Sequence, residues 1–247
     1  MQIKRAMFIA GFILTSITFA QQHLPFQEKF LNEFNPEIIK EGKFQYNVKY
    51  SAGNQRSAFV FIREIKASEY KKRNIYRIID RTINPNNESV DTVFYDAITL
   101  QPLRQHARLS QTNLNFDFSN SGMKGEMQVD TNIYSVDLPF QNFTLPASST
   151  SEFIISTLPL QEEYTSSIVM FDLFTMSVKS FTISVLAKEK LMINSKSYVT
   201  YKVEIKSSQE AGVVTRLWVG IKDKVIYRMD TMISMFLGGG VTSAELQ

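Results

Sequence analysis

The sequence predicts a mainly β protein: a single curved antiparallel sheet (half-barrel) with one short helix packed on the concave side. Apolar and polar residues alternate with a period of two along most of the chain. Aromatic residues, which favour strands, are abundant, with 19 Phe and 10 Tyr. The segments between the alternating stretches are mostly too short to join parallel strands.

Residues 1–20 have the pattern of a secretory signal peptide. Lys4 and Arg5 precede an apolar run, and Thr18 and Ala20 are small residues suited to signal cleavage. The run is shorter than the ~20 apolar residues that a transmembrane helix needs. We therefore expect cleavage before Gln21 and a periplasmic or extracellular protein that is soluble after cleavage. A retained N-terminal anchor is the alternative.

Charge and composition exclude several classes of protein. Removing Lys4 and Arg5 from 27 basic residues leaves 25 against 24 acidic ones, a net charge of +1. Basic and acidic residues are interleaved, so the chain lacks the basic footprint that nucleic-acid binding requires. With no cysteine, it can form neither disulfides nor thiolate metal sites.

Residues 21–42 form a lead-in to the sheet. Between Pro25 and Asn35, four apolar residues recur at helical spacing and predict a short docking helix. They are Phe26, Phe30, Leu31 and Phe34. Residues 43–247 are then expected to form a single β half-barrel domain, because no internal repeat or composition change divides them.

Thirteen strands are predicted after the lead-in. They are 43–50, 59–62, 75–83, 89–96, 103–109, 113–119, 123–129, 133–138, 167–174, 178–187, 198–207, 213–220 and 225–232. Asn, Asp, Gly, Ser and Pro clusters separate the first eight, as expected for turns between antiparallel neighbours. Leu114, Phe116 and Phe118 should face Met123, Gly125 and Met127 across a hairpin.

One helix interrupts the strands. After the loop 139–146, Ser149 and Glu152 have the spacing of a capping box, in which Glu152 reaches back to the turn. A helix of two to three turns should follow and end near Pro159. Its apolar residues cover most of its circumference, so we expect it to be pressed into the protein.

No motif points to catalysis. His23 and His106 are the only two histidines, and no metal-ligand spacing or G-x-S-x-G elbow is present. Gly238-Gly239-Gly240 precedes no evident helix, so a bend or bulge at a sheet edge explains it better than a phosphate loop. We expect no enzyme activity, no catalytic residues, no metal and no cofactor.

The aromatic side chains are the one feature with functional possibilities. They could line a cavity for a hydrophobic ligand, or they could simply fill the core, and the sequence leaves both interpretations open. The candidate lining residues are Phe44, Tyr46, Phe116, Phe118, Phe153, Phe171, Phe174, Phe181 and Trp218.

Several segments resemble a known family. They are 94–103 (FYDAITLQPL), Leu158-Pro159-Leu160, 215–219 (TRLWV) and Gly239-Gly240. Together they resemble the bacterial domain of unknown function 3108 family, from about Glu41 to the C-terminus. The resemblance implies an antiparallel half-barrel similar in fold to periplasmic lipoprotein-sorting carriers, and it transfers no catalytic residues.

The resulting hypothesis is a secreted or periplasmic, non-enzymatic and monomeric binding protein. Its partner would be a lipid or other hydrophobic small molecule, or an envelope protein. The alternatives are a structural or interaction module with a solid core and an outer-membrane β-barrel, whose strands show the same alternation.

Overall fold

The computed structural model describes residues 33–85, 87–140, 144–146, 151–172, 177–207, 212–233 and 239–247. Within these ranges the chain forms one open, curved sheet of 15 strands and a single short α-helix, which confirms the predicted fold class. A three-residue 3-10 helix, Pro36–Ile38, lies before the first strand. The expected signal peptide, the lead-in up to residue 32, Ser149, Phe174 and Gly238 lie outside the described residues.

The first eight strands form an antiparallel meander. They are β1 (Gly42–Ala52), β2 (Gln55–Tyr70), β3 (Arg73–Asn84), β4 (Asn87–Asp96), β5 (Pro102–Leu109), β6 (Thr112–Ser119), β7 (Gly122–Val129) and β8 (Asn132–Pro139). Each strand pairs with the next. The predicted hairpin is confirmed, since Phe116 of β6 pairs with Gly125 of β7 and Phe118 pairs with Met123.

The helix and seven further strands follow. They are β9 (Leu145–Pro146), helix α1 (Ser151–Ser156), β10 (Thr165–Asp172), β11 (Ser177–Ile193), β12 (Lys196–Ser207), β13 (Val213–Gly220), β14 (Ile226–Ile233) and β15 (Gly240–Leu246). Strand β9 pairs parallel with β10, an exception to the predicted antiparallel pairing, because it belongs to the crossover and not to a hairpin. Helix α1 has six residues, fewer than predicted.

The strand order is β8-β7-β6-β5-β4-β3-β2-β1-β15-β14-β13-β12-β11-β10-β9. The chain therefore runs from the centre of the sheet to one edge, crosses over, and returns from the other edge to the centre. There β1 pairs with β15, with Tyr46 opposite Leu246. Gly240, predicted to lie in a bend at a sheet edge, instead begins this central strand.

The main apolar core lies between helix α1 and the inward faces of both meanders. Phe153, Ile154, Ile155 and Leu158 are at most 2% exposed and belong to one cluster with residues of β1–β4 and β10–β15. Burial of a side chain of this size contributes ~1.5–3 kcal/mol. Apolar contact therefore holds the helix on the concave side of the sheet, as the sequence predicted.

A second cluster lies where the two halves of the sheet face each other. It joins buried residues of β5–β8 to Phe171 of β10. The ring of Phe140 lies 6.4 Å from that of Phe118 and 6.3 Å from that of Phe171. The sheet is thus curved strongly enough for its first and second meanders to share a core.

In the part of the chain that the structure describes, no helix combines the length and apolar character needed to cross a membrane.

Candidate ligand cleft between the helix and the sheet

A cleft opens between α1, the segment before β1, and the turn between β13 and β14. Its apolar walls are Ile38, Ile39, Phe44, Ile65, Phe153, Val225 and Ile226. Its polar lining residues are Lys40, Tyr46, Arg63, Ser156 and Lys224. The cavity volume is about 30 Å³, which is room for a water-sized group.

Three of the predicted site residues meet in this cleft: Phe44, Tyr46 and Phe153. Phe44 and Tyr46 share the inward parity of β1, and Phe153 comes from α1. The Tyr46 hydroxyl donates a 2.9 Å hydrogen bond to the carbonyl of Ile226. Burial raises the pKa of Tyr46, so this side chain is a neutral donor at physiological pH.

A buried cluster of charged side chains lies at the inner end of the cleft. Arg63 of β2 donates two hydrogen bonds of 2.9 Å to the carboxylate of Asp80 on β3. Its Nη2 atom also lies 3.5 Å from Oε2 of Glu152 on α1. Sequence reasoning placed Glu152 in a capping box, but the described contact of its carboxylate is with Arg63.

The alternation of inward and outward side chains along a strand explains why Arg63 and Asp80 are buried. Arg63 lies between Phe61 and Ile65, which share its parity and belong to the main core. Asp80 likewise shares the inward parity of Ile78. A bidentate arginine–carboxylate pair supplies the strong, directional bonds that buried charges require.

Burial and the neighbouring charges shift the pKa values of Glu152 and Arg63. Burial raises the pKa of Glu152 to about 7, and the nearby Asp80 carboxylate acts in the same direction, while Arg63 opposes both. Burial alone would lower the pKa of Arg63, but the Asp80 and Glu152 carboxylates outweigh it and raise the pKa. Arg63 is therefore a permanent cation, whereas Glu152 titrates near neutral pH.

Two lysines lie at the rim of the cleft. Lys40 is exposed and precedes β1, and Lys224 lies in the turn between β13 and β14. Burial lowers the pKa of Lys224. None of the ion pairs among the described residues involves Lys40 or Lys224.

The other predicted lining residues lie elsewhere. Phe116, Phe118 and Phe171 fill the second cluster, and Phe181 packs against the main core from β11. These four side chains are therefore core residues in this structure. The cleft gathers only part of the predicted set.

Trp218 lies on the opposite face of the sheet. Its strand neighbours Leu217 and Val219 face the main core, whereas Trp218 packs with Tyr227 in a third, outer cluster. Lys202 Nζ lies 5.1 Å and Arg228 Cζ 4.9 Å from the centre of its ring. These two cation–π contacts give Trp218 a structural role on the outer face.

Sequence reasoning missed Lys40, Arg63, Asp80, Ser156 and Lys224. The sequence does contain a signal for Arg63 and Asp80. Each is a charged residue at a position of its strand where the alternation predicts a buried apolar residue. No sequence signal marked the lysines, which only the tertiary structure brings to the same cleft. Among the described residues, no cluster of His, Asp or Glu suits a metal ion.

Comparison with known proteins gives a family and a fold. The model of the family described as "Protein of unknown function (DUF3108)" matches residues 45–245. A similar solved structure is "Crystal Structure of Beta-barrel-like Protein of Domain of Unknown Function DUF1849 from Brucella abortus". It has 13% identity and a TM-score of 0.52, and the match covers 83% of this chain and 94% of the other. No match was found among curated proteins.

Proposed function

The chain belongs to the DUF3108 family of proteins of unknown function, and we propose that it is a non-enzymatic binding protein for a hydrophobic ligand. The ligand site is the cleft between α1 and the curved sheet. The observation that carries the proposal is the convergence of Phe44, Tyr46 and Phe153 on this cleft. Apolar walls with a few polar groups are typical of small-molecule sites.

A cavity of about 30 Å³ holds only part of an apolar chain, so a wall must move to admit the rest. The segment before β1 is the wall that we expect to move, because it lies outside the strand ladder of the sheet. Asn35 N donates to Thr157 O at 3.3 Å, and the Tyr76 hydroxyl donates to Pro36 O at 3.3 Å. The Tyr164 hydroxyl also donates to Oε2 of Glu33 at 2.6 Å, and Ala67 N donates to Oε2 of Glu41 at 2.8 Å. Each of these hydrogen bonds costs about 1 kcal/mol to break, so the ligand must repay the cost of moving this segment.

The proposed place of action is outside the cytoplasm, in the periplasm or the extracellular space. Support comes from the signal-peptide pattern of residues 1–20. A chain without cysteine needs no oxidative folding there, since a core of this size suffices for stability.

An interaction module with a solid core is the second candidate. Two observations favour it: the small cavity, and the exposed apolar residues of β8, an edge strand of the described sheet. Ile133 is 64% and Tyr134 50% exposed. An exposed sheet edge with apolar side chains is a common site for pairing with another chain.

Binding of decanol, a neutral amphiphile, tests the proposed function. Native mass spectrometry and calorimetry should detect a one-to-one complex, and Ile39→Trp, which fills the cleft, should weaken it at least tenfold. The matched control is Ile98→Trp, at a position 80% exposed and outside the cleft. Absence of binding by the unmodified protein would favour the interaction module instead.

A further inference from the structure

We infer that the ligand carries an anionic head group, a carboxylate or a phosphate ester, which Lys224 and Lys40 hold at the rim of the cleft. The apolar part of the ligand then lies against Phe44 and Phe153. This inference rests on the proposed function and names the class of ligand.

The first argument is the sign of the charges that line the cleft. Lys40, Arg63 and Lys224 are lining residues, and no Asp or Glu is among them. Arg63 at the inner end is already neutralised by its two bonds to Asp80 and its contact with Glu152. The positive charge available to a ligand is therefore at the rim.

The second argument is that acidic neighbours of both lysines are engaged elsewhere. Glu41 follows Lys40, but its Oε2 accepts a 2.8 Å hydrogen bond from Ala67 N. Asp223 precedes Lys224, but its Oδ2 accepts a 2.6 Å bond from the Tyr227 hydroxyl and its Oδ1 accepts from Val225 N. Among the described ion pairs, neither carboxylate is paired with its neighbouring lysine.

The turn that carries Lys224 is well ordered by hydrogen bonds. Gly220 N donates to Val225 O at 2.8 Å, and Lys224 N donates to Gly220 O at 3.1 Å. The Lys224 side chain is partly buried, and burial weakens its protonation. An anion beside it would restore the lost electrostatic stabilisation, and a fixed backbone reduces the entropy cost of binding.

The third argument concerns where the charged head group and the apolar chain of the ligand would lie in the cleft. The inner hydroxyl groups already have partners: Tyr46 donates to Ile226 O, and Ser156 donates to Phe153 O at 2.6 Å. The inner cleft therefore offers few free polar groups and suits an apolar chain. An amphiphile can place its charged group beside the lysines at the rim and its apolar chain in the inner cleft, so no charge is buried without a partner.

The test compares four probes by calorimetry at low salt: decanoate, decyl phosphate, decanol and inorganic phosphate. Decanoate and decyl phosphate should bind at least tenfold more tightly than decanol. Lys224→Met should weaken both anions about tenfold and leave decanol unchanged. Lys40→Met should act in the same direction, with a smaller effect because Lys40 is exposed.

Lys222→Met is the matched control, since Lys222 lies in the same turn, is exposed, and does not line the cleft. It should change no affinity. Equal binding of decanoate and decanol, insensitive to Lys224→Met, would overturn the inference and leave the proposed function standing. Failure of all three amphiphiles would overturn the proposed function. Binding of inorganic phosphate as tight as that of decyl phosphate would overturn the inference, because the apolar chain would then contribute nothing.

Discussion

Arg63 and Asp80 form a bidentate ion pair in the interior of the half-barrel, with both hydrogen bonds at 2.9 Å. The two residues are only 2% and 4% exposed, and they join adjacent strands β2 and β3 beneath helix α1. Replacing either residue alone should strongly destabilise the protein, because the charge of the other residue would then be buried without a partner.

Arg63→Met should destabilise the protein by about 3–5 kcal/mol, since Asp80 and Glu152 lose their shared cation. The double variant Arg63→Met/Asp80→Leu should recover most of this loss at pH 6, where Glu152 can protonate. Urea unfolding measures both. A loss below about 1 kcal/mol for the single variant would contradict a buried, bonded pair.

Glu152 should make the protein less stable as the pH rises. Its pKa is raised from 4.5 to about 7 by burial, so the folded state favours the protonated form. The stabilisation is complete below about pH 4.5 and is lost as the pH rises through about 7. Relative to Glu152→Gln, the unmodified protein should lose on the order of 2 kcal/mol between pH 5 and 8.

Denaturant unfolding at several pH values measures this difference. The matched control is Glu162→Gln, because Glu162 is exposed just after the helix. If Glu152→Gln and Glu162→Gln gave the same pH profile, Glu152 would not be the titrating group.

Gly125→Ala should destabilise the β6–β7 hairpin by more than about 2 kcal/mol. A Cβ atom there would lie 2.0 Å from Asn115 O and 2.9 Å from the Cα of Phe116. Gly53→Ala is the comparison: it has a positive φ of 54° but nothing within 4 Å of a Cβ. It should cost only about 1 kcal/mol, the backbone strain alone. Thermal unfolding distinguishes the two.

Trp218→Phe should cost about 1–3 kcal/mol of stability and leave decanol affinity unchanged. The Nε1 atom of Trp218 donates a 2.5 Å bond to Glu189, which Phe cannot form. Trp218 does not line the cleft, and Phe keeps an aromatic ring in the cluster that Trp218 shares with Val225 and Phe44, so the cleft walls should stay in place. A fall in decanol affinity with preserved folding would place the ligand on that face instead.

Local patterning allowed much of the fold to be predicted. Period-two alternation identifies which side chains share a face, and turn residues mark where strands end, as in the hairpin that pairs Phe116 with Gly125. Strand β15 was missed because its alternation is weak and only Ala244 is buried. A β-bulge also changes which residues of a strand face the core, and the sequence does not reveal it. The bulge between Val185 and Ala187 places Leu191 and Ile193 in the outer cluster.

By itself, the sequence determined the fold class and the burial of helix α1, because alternation and helical spacing are local properties of the chain. Only the tertiary structure decided that β15 pairs with β1, that Arg63, Asp80 and Glu152 meet, and that Lys40 and Lys224 share one rim. These contacts join residues far apart in the chain, and strand order, register and curvature, which no local pattern encodes, bring them together.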